Sequence, residues 1–348
     1  MARMPGLVFP GGATAELREL PAPRPGPTEV LIRIRASGLC GSDLMSYRSP
    51  AGLRAPATGE LVVAGHEPAG VVEEVGALVT AFAPGDRVLA YHILGCGLCH
   101  QCRLGYQVSC TSPTKAAYGG QRHGGHAELM TAEERSLVRL PPAVSFVDGA
   151  TVACGTSTAY AATRRAGVRS GDRVLVTGLG PVGLAVAMFA ADAGAEVVGV
   201  DPNPERAAFA QRYGVHHTVT ATDEDEALAQ VEEVTGGHGV SVAVDCSGSD
   251  AARHLALQAV STWGRVVLVG FGGGALTVDA ASVFILKQLT LHGSWVSSLA
   301  QMEEVVDLLA RRGLHPDALV TRQYRLDESP AAYEAFSAGS VGKLVVVS

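Results

Sequence analysis

Through the first 150 residues, short apolar runs alternate with turn-forming residues. Val30–Arg35 reads VLIRIR, Val71–Val75 reads VVEEV and Arg87–Tyr91 reads RVLAY. Runs of this length, bounded by Gly, Pro and Asp, predict strands, and their close spacing predicts a compact, mostly β domain. The stretch PAPRPGP at 21–27 is an extended link too short to separate domains. From about residue 172 the rhythm changes. Strands are predicted at Arg173–Thr177, Glu196–Asp201, Val240–Asp245 and Arg265–Gly270, with helices at Pro181–Ala193, Pro204–Tyr213 and Asp250–Val260 between them. Uncharged strands alternating with longer helices predict a parallel sheet covered on both faces. Val174 to Ala191 carries no charge over 18 residues, yet its glycines at 178, 180 and 183 make it a strand, a turn and a buried helix. A membrane span is the poorer reading. Beyond residue 297 the pattern predicts one amphipathic helix, Met302–Arg312, and a last strand, Lys343–Val347.

Composition narrows the function classes. The chain has 348 residues, a prior for two domains. Its formal charge is −7, without Lys/Arg runs, which gives no electrostatic reason to expect a nucleic acid or an anionic membrane as partner. With 47% apolar and only 18% charged residues, disorder is excluded. Glycine is in excess, 42 residues, in keeping with nucleotide-binding turns. The N-terminal residues MARMPG lack the apolar core of a secretory signal, so the expectation is a soluble, cytoplasmic protein. Its seven cysteines are an odd number with four of them clustered, which favours metal binding over a disulfide framework.

Three constellations carry chemistry. The first is GLGPVG at 178–183, directly after a predicted strand and opening a predicted helix. Gly178 permits the tight turn, Gly180 lets backbone approach a pyrophosphate, and Gly183 lets helix pack on sheet. Asp201 ends the next strand, where a carboxylate accepts from ribose hydroxyls and repels a 2′-phosphate, favouring NAD over NADP. Arg206 lies on the following helix, within reach of that ribose. The second is Cys96, Cys99, Cys102 and Cys110, spaced C-x2-C-x2-C-x7-C. One loop can fold four such thiolates around a tetrahedral ion, a structural zinc site. The bacterial iron–sulfur run instead closes with x3 and Pro. The third is dispersed: Cys40 in GLCGSD, His66 in GHEPAG and Cys154 in ACGTST. Two thiolates and one imidazole leave a zinc position open, as catalysis needs.

With these motifs in this order, the chain resembles the zinc-dependent medium-chain alcohol/polyol dehydrogenases over essentially its whole length. The resemblance implies an α/β protein: a GroES-like, mostly β catalytic domain from residues 1–155 and 297–348, and a Rossmann doubly wound parallel-sheet NAD-binding domain from 156–296. It assigns Cys40, His66 and Cys154 to a catalytic zinc. Glu67 matches a second-sphere or exchangeable ligand, Asp43 the carboxylate that orients the histidine, and Ser42 the hydroxyl that takes the alcohol proton. Thr158 matches a residue packing on the nicotinamide, and Val182, Asp201 and Arg206 match cofactor contacts. The expected activity is oxidation of a secondary alcohol (polyol, sugar or cyclitol) with NAD, by a homodimer or homotetramer paired through the Rossmann domains. A simple hydrophobic alcohol, a zinc-free reductase and a non-catalytic NAD-binding sensor are the rival readings.

Two departures matter. Family members often carry His three residues after the serine, where this chain has Met45, and sorbitol and threonine dehydrogenases often carry Glu where it has Cys154. Of the remaining candidates, His123 and His126 are expected on a loop near the site entrance. His216 and His217 are expected at a solvated strand edge, Cys246 in the core and Lys343 on the surface. The acidic run Asp223–Glu226 reads as a helix start, where carboxylates suit the dipole.

Overall fold

The computed structural model describes residues 2–273 and 276–348. The chain divides into two compact units, Met1–Ser157 with Ser297–Ser348, and Thr158–Val296.

In the first unit, a seven-stranded sheet runs in the order Val320–Arg325, Lys343–Val347, Glu29–Gly38, Glu67–Val75, Arg87–Ala90, Leu137–Arg139, with Leu129–Glu133 also paired to Glu29–Gly38. All pairs are antiparallel except the first, and the C-terminal strand is thereby built against the central one. Val30, Ile32 and Ile34 of the central strand are buried with Val72, Val88 and Met130, a period-two core face. Strand register also sets the position of polar residues at the sheet edge. Gly38 faces Glu67 across one strand pair and Val345 across the other. The residues just beyond these ends, Cys40, His66 and Lys343, therefore share one edge of the sheet. A second cluster packs Phe9, Tyr47 and Tyr333, with ring centroids 4.8 to 5.7 Å apart. The helix Phe146–Thr151 starts on a capping box between Ser145 and Asp148 and runs into a wider π turn, Val152–Thr156, which carries Cys154. Wider turns of this kind bulge a helix outward and recur at functional sites.

The second unit is a six-stranded parallel sheet in the order His217–Val219, Glu196–Val200, Arg173–Thr177, Val240–Asp245, Val260–Leu268, Thr290–Gly293. In chain order this is 3-2-1-4-5-6, so the direction of winding reverses beside Arg173–Thr177, the place where such sheets bind dinucleotides. The helices Pro181–Asp192 and Asp250–Ala259 pack on these strands. No helix among the described residues is long and apolar enough to cross a membrane.

The pattern-based elements differ from the observed ones chiefly at boundaries and in what lacks periodicity. The strand predicted at Arg265–Gly270 runs from Val260 to Leu268, and the helix predicted from Met302 starts at Leu299 on a Ser298 capping box. The edge strand Thr290–Gly293 and the helix Ser329–Ala338 have no counterpart in the apolar pattern. The first is short, and the second opens on Ser-Pro rather than on an apolar repeat.

Candidate active site and metal centres

Cys40 lies two residues past one central strand and His66 one residue before its partner. Antiparallel pairing brings them together although they are far apart along the chain. The π turn adds Cys154. Donor atoms of Cys40, His66, Glu67 and Cys154 all lie within 4.8 Å of one another. Glu67 thus stands inside the donor cluster, beside the three residues that the motif pattern brings forward as ligands.

Asp43 organises the cluster. Its Oδ1 is 2.7 Å from His66 Nδ1, and its Oδ2 accepts from the Cys40 N–H at 2.9 Å and from the Tyr333 hydroxyl at 3.1 Å. A carboxylate only accepts, so Nδ1 carries a ring proton, and Nε2 is the nitrogen that offers a lone pair whenever the ring is neutral. Burial opposes a charged His66, but Asp43 and Cys40 hold its pKa well above the usual value. Cys40 is pulled well down by the hydrogen bond from the Cys154 thiol, and Cys154 is pushed up. Two half-buried thiols, a buried imidazole and a buried carboxylate in this crowding fit a divalent cation of borderline softness, and zinc above all. Ser42, exposed, sits with Oγ 3.4 Å from His66 Nε2.

Lys343 corrects the surface reading. It is 3% exposed, with Nζ 2.5 Å from Glu67 Oε2. The strand pairing forces this, because Lys343 precedes the residues paired with the central strand and its side chain enters the protein beside Glu67. Glu67 itself is fully buried, and burial pushes its pKa up to about 7 against the pull of Lys343. Gly38 makes the room: a Cβ there would stand 2.0 Å from Glu67 Oε2.

His123 and His126 both lie on a loop, as expected, and His126 is sealed inside the protein. His126 is fully buried, with Nε2 2.8 Å from the Tyr333 hydroxyl, and burial takes its pKa down to about 4. His123 Nδ1 accepts from the Val63 N–H at 3.0 Å. Sequence reasoning missed Tyr333 and His92. The His92 ring lies 5.0 Å from that of His66 and donates from Nδ1 to the Ala153 carbonyl, and burial keeps it neutral with a pKa of about 4. The available signal for His92 was its place at a strand end shortly before Cys96.

In the lobe, the sulfurs of Cys96, Cys99, Cys102 and Cys110 come within 4.8 Å of one another. Backbone N–H groups point at them: Leu98 and Cys99 donate to Cys96, and Cys96 and Ser112 donate to Cys110, at 3.3 to 3.4 Å. Such donors favour thiolates. Backbone hydrogen bonds from Cys102 and Thr111 bring Cys99 down to about 6. A third group, Asp148, His315 and Asp317, is knit into the capping box instead, with Asp148 accepting from Ser145 and from the Asp317 N–H.

The second unit holds a cavity of about 410 Å³ walled by Gly178, Gly180, Asp201, Arg206, Cys246 and Ser247, among others. Gly178 has φ +86°, which only glycine adopts without strain, and a Cβ on Gly183 would fall 1.9 Å from the Gly178 carbonyl oxygen. Gly180 has open space before it and starts the helix without a side-chain cap, so its first N–H groups remain for a ligand. Asp201 Oδ2 accepts from the Leu179 N–H at 2.8 Å and Oδ1 from the Asn203 N–H at 2.9 Å, with Arg206 at 3.9 Å. Val182, Gly183 and Thr158 are not in this wall. Cys246 is, which corrects its expected place in the core. His217 is exposed on the edge strand beside Glu196.

Residues 26–142 match the family model of the alcohol dehydrogenase GroES-like domain, and residues 181–311 that of zinc-binding dehydrogenases. The zinc-type alcohol dehydrogenase-like protein YphC of Escherichia coli (strain K12) is 42% identical over 99% of both chains. The chain belongs to the zinc-dependent medium-chain alcohol dehydrogenase family. L-threonine 3-dehydrogenase of Pyrococcus horikoshii is 33% identical over 96% of this chain and 95% of its own. Among solved structures, alcohol dehydrogenase TADH from Thermus sp. ATN1 superposes with a TM-score of 0.90 at 30% identity, covering 99% of each chain. A zinc-binding dehydrogenase from Sinorhizobium meliloti 1021 bound to NADP gives 0.88 at 25% identity over 100% of each.

The buried ion pair makes a prediction about stability. Lys343→Met leaves the Glu67 carboxylate buried without its cation, which typically costs roughly 3–5 kcal/mol. Adding Glu67→Gln removes the stranded charge and restores most of the loss. Urea unfolding of the metal-free protein measures both. A single variant as stable as wild type would mean the pair carries no such cost.

Proposed function

We propose that this dehydrogenase oxidises a secondary alcohol, of the polyol, sugar or cyclitol class, with NAD. The observation that carries the reading is the donor cluster of half-buried Cys40 and Cys154 with buried His66 and Glu67, Asp43 fixing the imidazole. A zinc ion held by Cys40, His66 and Cys154 would polarise the alcohol oxygen as a Lewis acid and lower the hydroxyl pKa. Glu67, within donor range yet paired with Lys343, serves as the exchangeable ligand. Ser42 takes the alcohol proton. Ser42 is an exposed residue, so water can carry the proton away in place of the usual relay histidine, whose position holds Met45. Cys96, Cys99, Cys102 and Cys110 would hold a second, structural zinc, since four thiolates leave no open position.

NAD, when bound, would supply the hydride acceptor. The GLGPVG loop and the uncapped helix after it receive the pyrophosphate, Asp201 and Arg206 the adenosine ribose, Thr158 packs on the nicotinamide, and Val182 is a further cofactor contact. The named activities of relatives on L-threonine and sorbitol support a polar, hydroxylated substrate. A simple hydrophobic alcohol is the alternative within the family, and a non-catalytic NAD-binding sensor the alternative outside it.

We also assign a homodimer or homotetramer. The strand Thr290–Gly293 ends its sheet, and around it Trp263, Ile285, Leu286 and Trp295 are 61 to 74% exposed. An apolar sheet edge of this kind suits pairing with a second copy.

In a screen of secondary alcohols, polyols and aminocyclitols read by NADH absorbance, the wild type turns over a hydroxylated member. His66→Ala abolishes turnover with the fold retained, whereas Cys99→Ser lowers the melting temperature. Turnover of none would favour the sensor. For the cofactor, a carboxylate facing a 2′-phosphate costs several kcal/mol, so kcat/KM favours NAD by about a hundredfold or more, and Asp201→Ser erodes the preference. Equal use of NADP would remove Asp201 from the ribose. Light scattering should find a dimer or tetramer that Leu286→Glu with Trp295→Glu reduces to monomer; a monomeric wild type would end the oligomer assignment.

A further inference from the structure

Tyr333 stands behind the donor cluster, 290 positions from the carboxylate it touches. It comes from the helix Ser329–Ala338, is fully buried and packs its ring against Phe9 and Tyr47. A phenylalanine would satisfy that packing equally well. The hydroxyl does something else. Asp43 is an acceptor only, so Tyr333 donates to Asp43 Oδ2, and the phenol oxygen then accepts from His126 Nε2. His126 consequently keeps a bare Nδ1, and that atom is buried without a hydrogen-bond partner among the described residues. A buried chain of three polar groups with one unmet acceptor is costly in a core, and a phenylalanine at 333 beside an apolar residue at 126 would avoid that cost.

What the chain achieves is visible at its other end. Asp43 Oδ2 is shared between Tyr333 and the Cys40 N–H, while Oδ1 holds His66 Nδ1. One carboxylate therefore fixes the backbone of one donor and the ring of another. Without the phenol, a single N–H restrains Oδ2, and the carboxylate can swing about its Cβ–Cγ bond and carry the imidazole with it. We propose that Tyr333, backed by His126, is a positioning residue that locks the Asp43 carboxylate and thereby presets His66 and Cys40 as a pair of metal donors. This rests on the reading of Cys40, His66 and Cys154 as zinc ligands.

The test measures metal affinity directly. Wild type, Tyr333→Phe, and the double variant Tyr333→Phe with His126→Phe are equilibrated against buffers of graded free zinc, and zinc per chain is counted by elemental analysis. Outer partners of metal-ligating histidines typically govern affinity by about 10–100-fold. In Tyr333→Phe one of two zinc equivalents, the one missing from His66→Ala, should need about tenfold more free zinc, while the other is unmoved. The double variant removes both polar partners, so its metal-free form should regain wild-type stability toward urea, yet its zinc binding should stay weak. That split is what a purely structural tyrosine would not produce. Tyr333→Phe holding both equivalents as tightly as wild type would overturn the proposal. So would recovery of affinity in the double variant, which would make the hydroxyl a folding group. A wild type that retains a single equivalent would overturn the zinc reading itself, a failure seen before any substitution is made.

Discussion

A carboxylate sealed from water must find donors within the protein, and Asp43 finds them in Cys40, His66 and Tyr333. Burial by itself would raise its pKa, and the facing His66 ring holds it below the ordinary value instead. Because the carboxylate cannot donate, every partner must bring a hydrogen, and that single restriction sets the His66 tautomer. It also binds together three stretches of chain that are remote in sequence. The first supplies the turn after the central strand, the second the start of its neighbour, and the third the C-terminal helix. Two of the four donors, Cys40 and His66, are held by that shared acceptor.

The same logic governs the charges beside it. Glu67 is fully buried, and Lys343 offsets its charge. The pair exists because the C-terminal strand is laid antiparallel to the central one, and because Gly38 presents no Cβ where the carboxylate must lie. Lys343 and Tyr333 both belong to the residues that return to the first unit after Val296. The site is therefore finished by the last part of the chain, although its donors come from the part that ends at Cys154. A core that buries this much polarity accepts a stability penalty, which bound metal can repay by favouring the folded state.

In the second unit, the constraint is backbone proximity. Gly178 takes a positive φ, and Gly183 lets the helix come against the Gly178 carbonyl, closer than any side chain allows. Asp201 then ties the strand end to the loop through the Leu179 N–H, so the carboxylate read as a ribose acceptor also braces the glycine turn. Both oxygens have backbone donors already. A ribose would use the remaining lone pairs, since each carboxylate oxygen can accept more than once.

Local chemistry was legible in the sequence. The GLGPVG turn, the four-cysteine spacing and the alternation of strand and helix after residue 172 each arise from interactions within a few residues, where periodicity and glycine geometry leave a direct imprint. The dispersed set of Cys40, His66 and Cys154 was legible only through the motifs around each member. What the tertiary structure decided was partnership. That Lys343 is buried against Glu67, that His126 backs Tyr333, that His92 lies on His66 and that Cys246 faces a cavity are outcomes of strand register and packing over long separations. A lysine near a terminus or a histidine in a glycine loop has the same local pattern whether solvated or buried. Only the pairing of distant strands fixes which side of the sheet edge it enters, and with it the charge or hydrogen bond it must answer.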